Sequence, residues 1–312
     1  MTSLRECPDP VFVPLTDDPR AALRRLPQEV TLATLRRGAN TFMAGFTGPA
    51  VHSVDEARIE GPAGDITIRI YRPNADTVLP VILFVHGGGF MLGSLETHDA
   101  LCRSLAREAG AAVVALDYRL APEAQFPAPL DDIAALHHHL LIHGQCLGLE
   151  MAKFALVGDS AGGQLAAAAA QALDPVHLGL FYPMVAPGLS SPSLTDFATG
   201  YMLTREFIEW AWEEYLPGDA DRLDPRLNLL EASPQSFPPA TIVTAACDPL
   251  RDEGKALAQH LAEGGVDVRY ASFAGMIHGF AGMPQLTGMA EVAIKLVGQR
   301  IAASLGGVPF AD

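Results

Sequence analysis

Ser160 is the residue whose setting most clearly announces chemistry. It lies in Phe154-Ala-Leu-Val-Gly-Asp-Ser-Ala-Gly-Gly-Gln-Leu-Ala, which continues into a run of alanines to Leu173. The apolar residues before it predict a strand, the alanines after it a helix, and Gly158-Asp159-Ser160-Ala161-Gly162 an abrupt turn between them. Gly-x-Ser-x-Gly in that context is a nucleophile elbow: the turn is so tight that only hydrogen fits as a side chain at 158 and 162, and the serine hydroxyl stands exposed at the strand's C-terminal end. The helix that follows directs its positive end at the same point, where negative charge would develop during attack on a carbonyl. The bland alternative is a Gly-rich loop capping a buried strand, so the partners decide.

A serine needs a base to take its proton and an acid to orient that base. Behind an elbow these follow in the order serine, acid, histidine, each just past a strand. Of the ten histidines only His177, His260 and His278 come after Ser160. His177 opens a strand, at the wrong end of a sheet, and His260 falls inside a helical stretch. His278, in the Gly-bounded Gly275-Met-Ile-His-Gly-Phe280 just beyond the last strand, is the expected base. Asp248 follows the apolar strand Thr241–Ala245 and precedes Pro249, which makes it the expected orienter. Its competitor Asp252 sits where a helix begins, a common place for an N-cap.

An acyl-transfer site also needs donors for the oxyanion. The amide of Ala161 is one. The others should come from His86-Gly87-Gly88-Gly89-Phe90, after the apolar run Val81–Val85, where glycines leave bare amides free to approach the substrate. A phosphate cradle is the other use of such a loop, but neither Gly-x-Gly-x-x-Gly nor Gly-x-x-x-x-Gly-Lys-Ser/Thr occurs here.

The elements that must carry these residues read as one large α/β unit. A period-two stretch, Asp65–Tyr71, follows a weaker strand over 51–59 across the turn Gly61-Pro-Ala-Gly64, which predicts an antiparallel hairpin. From Val81 onward apolar strands (112–116, 153–157, 177–182, 240–245, 266–271) alternate with helices (97–109, 129–143, 252–263, 287–304), the pattern of a doubly wound, mostly parallel sheet of about eight strands. Two regions break the rhythm. Residues 1–50 are proline-punctuated with a helical patch over 27–47, and residues 184–238 contain one good helix, 204–215, where a lid is commonly inserted. The expected organisation is N-terminal cap helices over 1–50, a catalytic domain over 51–312 and a cap insertion over about 184–238.

Composition narrows the class. The 312 residues carry 36 acidic and 21 basic side chains, a net charge of −15 that argues against nucleic-acid binding. The longest apolar helical run, 161–173, is too short to span a bilayer, and the first residues lack a signal-peptide layout. Four scattered cysteines, with no Cys-x-x-Cys pair, fit free thiols in a reducing cytoplasm. His137-His138-His139 and His143 invite a metal-site reading, but no His-Glu-x-x-His pattern accompanies them and a solvated helix face is the expectation.

With these residues in view, the chain resembles the hormonesensitive-lipase-like family of α/β-hydrolases, and its bacterial carboxylesterases in particular. The likeness runs from about Asp65 to Phe280 and rests on His86–Phe90, Asp117-Tyr-Arg-Leu-Ala-Pro-Glu123, Gly158–Gly163, Asp248-Pro-Leu-Arg-Asp-Glu-Gly254 and His278-Gly-Phe280, five blocks in order. The resemblance implies an α/β-hydrolase fold with a helical cap, a Ser160–His278–Asp248 triad, and oxyanion donors at Gly88, Gly89 and Ala161. It implies support of the oxyanion loop from His86 and Gly87, and a structural Asp117–Arg119 block read as an ion pair. The reaction would be hydrolysis of short- to medium-chain carboxylic esters through an acyl-enzyme. No metal or cofactor is called for, and a homodimer through the final strand and helix is a possibility many relatives suggest. An amide hydrolase or deacetylase on the same triad is the alternative, and a non-catalytic receptor of this fold a more distant one. Asp159, Phe90, Met91, Tyr182, Met202, Leu203, Phe207 and Trp210 are candidates for contact with substrate. Gln164 departs from the asparagine that many relatives carry, with an expected effect on helix packing rather than on catalysis.

Overall fold

The structure, a computed structural model, describes residues 8–12, 15, 31–218 and 220–306. Eight strands form one sheet in the order β1-β2-β4-β3-β5-β6-β7-β8. β1 (Ser53–Gly61) and β2 (Gly64–Arg72) are the expected hairpin, closing at Gly61↔Gly64, and β2 runs antiparallel to β4 (Ala112–Leu116). From there β3 (Leu79–Val85), β5 (Leu149–Asp159), β6 (His177–Phe181), β7 (Ala240–Cys247) and β8 (Val268–Ile277) pair in parallel.

The unbroken apolar runs of β3 and β4 are buried on both faces because helices cover both. Side-chain alternation splits β3 between two cores. Val81, Leu83 and Val85 pack with Ile133 and Leu136 of α3 (Ala128–His143) and Leu165 of α4 (Ser160–Leu173). Ile82 and Phe84 pack on the other face with Leu101 and Leu105 of α2 (Asp99–Ala109) and Ile294 and Val297 of α8 (Met289–Leu305). A parallel sheet delivers every strand's C-terminal end to one edge, and the polar residues of the site gather there.

Above that edge lie α1 (Leu32–Met43), α5 (Pro192–Asp196) and α6 (Arg205–Tyr215). α6 starts where Thr204 Oγ1 accepts the Phe207 amide at 3.2 Å. It buries Ile208, Ala211, Trp212 and Tyr215, the 3.6-residue stripe of a helix lying on a core. α7 (Arg251–Glu263) follows β7. The helical patch expected over 27–47 is present as α1 with Thr31 as N-cap, and its first residues fall outside those described.

Two strands run longer than their apolar patterns. β5 begins at Leu149, with its pairing to β3 shifting between Pro80 and Val81. β8 continues through Gly275, in the left-handed region at φ 73°, to Ile277. His278 therefore follows the strand directly instead of after a loop.

Candidate active site

β5 ends at Asp159, α4 begins at Ser160, and Ser160 itself holds the left-handed conformation (φ 54°) that turns the chain back on itself. Asp248 directly follows β7 and His278 directly follows β8, so three neighbouring parts of the sheet edge supply three side chains. His278 Nε2 lies 2.9 Å from Ser160 Oγ and Nδ1 lies 2.8 Å from Asp248 Oδ2. A carboxylate only accepts, so Nδ1 carries the proton and Nε2 accepts from the serine hydroxyl. The other carboxylate oxygen of Asp248 accepts the Leu250 amide at 2.8 Å, and the residue is wholly buried. The ring of Tyr182 packs 4.8 Å from that of His278. These contacts fit the triad of a serine hydrolase.

The loop 86–90 lies against the nucleophile: a Cβ at Gly87 would stand 3.0 Å from that of Ser160 and 2.7 Å from the backbone oxygen of Asp159. The loop is closed on itself by the Met91 and Leu92 amides, which donate to Gly88 O. His86 is buried between Tyr118 (4.3 Å) and His98 (5.5 Å), and its Nδ1 donates to Gly87 O. Burial, with His98 beside it, pushes His86 down to about 4, so it is neutral at physiological pH. Tyr118 Oη donates to His86 O.

The candidates for substrate contact divide. Phe207 reaches the loop 86–90, its ring 2.7 Å from where a Cβ of Gly89 would be, and Met202 reaches Gly279 beside His278. Leu203 and Trp210 are half-buried, and Trp210 Nε1 donates to Glu214. Phe90 belongs to the core instead, stacked on Tyr215 at 4.1 Å and tilted on Trp212. Met91 is fully buried, as is Tyr182 behind the histidine. Asp159 is buried: its Oδ1 accepts the Gly87 amide at 2.8 Å and the carboxylate pairs with His98 at 3.1 Å. A cavity of about 160 Å³ between α6 and the segment after β6, lined by Leu194, Ile208, Trp212 and Glu253 among others, has neither Ser160 nor His278 in its wall.

Two structural expectations are corrected. Asp117 and Arg119 do not pair with each other. Tyr118 points inward, and Arg119 turns to α3, where it binds the fully buried Asp132 at 2.8 Å and Ala128 O at 3.0 Å, while Asp117 is exposed. Asp252 is not the cap of its helix, whose N-cap is Leu250. Its carboxylate instead accepts the Ser193 amide at 2.9 Å, an otherwise unpaired donor in the first turn of α5, and pairs with Arg251 at 2.8 Å. Asp252→Ala should cost about 1–2 kcal/mol in chemical denaturation and leave kcat within about twofold. A kcat loss as large as that of Asp248→Ala would transfer the orienting role to Asp252.

Glu253, one position further, is buried with its Oε2 accepting the Val185 amide at 3.0 Å. Burial, with Asp248 nearby, raises it to about 8 against the pull of the Val185 and Ala186 amides. Between about pH 4.5 and 8 the folded chain thus holds a proton that the unfolded chain has lost, and this group makes stability fall as pH rises through that window. Glu253→Gln keeps an acceptor for Val185 and removes the titration. Its Tm relative to wild type should climb between pH 5 and pH 8, and a flat or falling difference would mean that the carboxylate is ionised in the fold.

Two residues without a motif belong to the site's frame. His98 holds Asp159. Arg36 of α1 donates to Met91 O at 2.7 Å and Ala121 O at 3.0 Å and forks onto Glu123, tying that helix to the end of the glycine loop that follows β3. An arginine on an otherwise amphipathic patch was the one available sign of the second. Gln164 is fully buried and donates to Arg226 O at 2.6 Å, joining α4 to the inserted segment. Among the described residues no group of three or more His, Cys, Asp and Glu side chains could hold a metal, and His137 packs on Phe154.

Fold and site together define a hydrolase of the α/β class. The chain belongs to the alpha/beta hydrolase fold family, whose profile matches residues 82–282. The ethyl acetate hydrolase of Pseudomonas putida is 37% identical over 243 residues, covering 74% of this chain and 76% of its own. The carboxylic ester hydrolase LipN of Mycobacterium tuberculosis is 41% identical over 260 residues (77% and 68%). Among solved structures, an ester hydrolase from the metagenome of Lake Arreo, in complex with a bipyridine phosphonate derivative, superposes with a TM-score of 0.89 at 36% identity, covering 96% of this chain and 99% of its own.

Proposed function

We propose that this chain is a serine carboxylesterase acting on short- to medium-chain carboxylic esters. The observation that carries the reading is the unbroken Ser160–His278–Asp248 hydrogen-bond chain at the sheet edge, in a family whose relatives include named ester hydrolases. His278 Nε2 takes the Ser160 proton as Oγ attacks the ester carbonyl, and Asp248 holds the resulting imidazolium. The amides of Gly88, Gly89 and Ala161 receive the oxyanion. His278 then returns the proton to the leaving alcohol, and a water, activated by the same imidazole, releases the acid from the acyl-enzyme. The intact base on Ser160 speaks against a non-catalytic receptor.

In this reading α1 and the segment 184–238 form the cap. Its support is Phe207 standing over Gly89 and Arg36 gripping the end of the same loop. A cytoplasmic setting is supported, among the described residues, by Cys102 and Cys146 being free thiols. A homodimer through β8 and α8 is supported by the place of β8 at the end of the strand order and by exposed Met289 and Val292, and gel filtration at monomer mass would refute it. The function is tested with p-nitrophenyl esters of graded chain length alongside p-nitroanilides. Activity should peak on the acetate to hexanoate esters. A peak on long chains, a preference for anilides, or no turnover of any ester would refute it.

A further inference from the structure

Phe90 is a bulky residue held in the left-handed region (φ 61°), directly after Gly88 and Gly89, which lie there too (φ 123° and 61°). A phenylalanine in that region is strained, and the strain persists only where the surroundings over-determine the backbone. Its ring is stacked on Tyr215 at 4.1 Å, and its carbonyl accepts the Ala121 amide at 2.9 Å. Met91 and Ala121 are themselves wholly buried, and a buried carbonyl left without a donor is costly. Among the described residues the donor to both is Arg36 of α1. Its Nε reaches Met91 O at 2.7 Å and an Nη reaches Ala121 O at 3.0 Å. Glu123 accepts from the two Nη atoms at 2.8 and 2.7 Å, which fixes the plane of the guanidinium so that both carbonyl bonds are made together.

We propose that Arg36 is a positioning residue of the esterase site: by holding the Met91 and Ala121 carbonyls it keeps the loop 86–90 wound, and so keeps the Gly88 and Gly89 amides where the oxyanion forms. The catalytic part of this rests on the esterase reading. The loop is a single turn in which the Met91 and Leu92 amides both donate to Gly88 O, at 3.2 and 2.8 Å, so what fixes Met91 also fixes Gly88. Without the guanidinium, Phe90 is free to relax toward a negative φ, and the peptide before it swings, carrying the Gly89 amide out of place. A planar fork is what the two carbonyls need, and a lysine ammonium does not supply one. Asn40, one turn further along α1, accepts the Ser94 hydroxyl at 3.3 Å, a second tie between that helix and the segment that continues the loop.

Arg36→Ala in the full chain should fold with wild-type circular dichroism yet lose about 10–100-fold in kcat on p-nitrophenyl acetate, with KM within about twofold. Arg36→Lys keeps the charge and should lose most of the same kcat. Guanidinium chloride, added well below its unfolding range, should restore part of the kcat of Arg36→Ala where sodium chloride does not. Arg37→Ala is the control: it removes the same charge from the exposed neighbour, whose guanidinium bonds Thr34 of its own helix at 3.0 Å, and should stay within about twofold of wild type. Hydrogen exchange reads the loop itself. The Met91, Leu92 and Ala121 amides should exchange more than about tenfold faster in Arg36→Ala than in Arg37→Ala. Wild-type kcat in Arg36→Ala, a loss confined to KM, equal rescue by sodium chloride, or unchanged exchange would overturn the proposal. If Arg36→Ala does not accumulate as folded protein, Arg36→Lys carries both measurements. If the wild-type chain turns over no ester at all, it is the functional reading that falls, and the exchange result still decides whether Arg36 holds the loop.

Discussion

Ser160→Ala is expected to lower kcat on p-nitrophenyl acetate by about 10⁵–10⁶-fold with substrate binding largely retained. The substitution removes one atom, Oγ, and one hydrogen bond, to His278 Nε2 at 2.9 Å. Nothing in the fold leans on that atom, so the thermal transition should move by no more than a few degrees. His278→Ala should cost about as much, and Asp248→Asn, which spoils the tautomer of the base without removing it, about 10⁴-fold. The losses should be grossly non-additive, because each single change already disables the same proton transfer. Residual turnover in Ser160→Ala above about one per cent of wild type would show that the attacking group lies elsewhere, since no binding effect alone spares so much.

The triad was legible in the sequence because its chemistry is local to each residue. A nucleophile at a tight turn demands glycines two positions either side. A base and an acid at a sheet edge must each come just after a strand, and Asp248 and His278 are the residues after Ser160 that meet that demand best. The central strands were legible for the same kind of reason, since a strand covered on both faces must be apolar throughout, as β3 and β4 are. Less regular strands were not. The start of β5 carries Glu150 and Lys153 on its exposed side, and the end of β8 passes through Gly275, so neither keeps an unbroken pattern. Partner choice was legible least of all. Asp117 and Arg119 are two residues apart and opposite in charge, yet Arg119 binds Asp132, thirteen positions on, because α3 brings a buried carboxylate into reach and the solvent-exposed Asp117 gains little from pairing. His98 and Arg36 act across 61 and 87 positions of sequence, on Asp159 and Glu123, and no spacing rule connects residues so far apart.

The largest effect on stability should come from Gly162→Ala, in the turn that presents Ser160. A Cβ there would lie 2.1 Å from Val85 O and 2.4 Å from His86 O, and one at Gly158 would lie 2.2 Å from Gly162 O. Real side chains never come so close, and these are not side-chain ends that can swing aside. They are backbone atoms of a fully buried strand and of the loop that leaves it. The elbow must therefore lift away from β3, opening the core above Val85 and separating the Ser160 hydroxyl from the loop 86–90. A loss of more than about 4 kcal/mol, seen as failure to accumulate folded protein or as a fall of roughly 10 °C in Tm, is expected. Gly38→Ala is the internal control. It makes the same change of atoms in the exposed middle of α1, where a Cβ meets nothing within 4 Å, and it should stabilise by about 0.5–1 kcal/mol through helix propensity. Opposite signs from one chemical change would isolate the close approach as the cause. If instead Gly162→Ala unfolds within about 2 °C of wild type, the elbow has room to spare, and the tight turn cannot be what holds Ser160 against the loop 86–90.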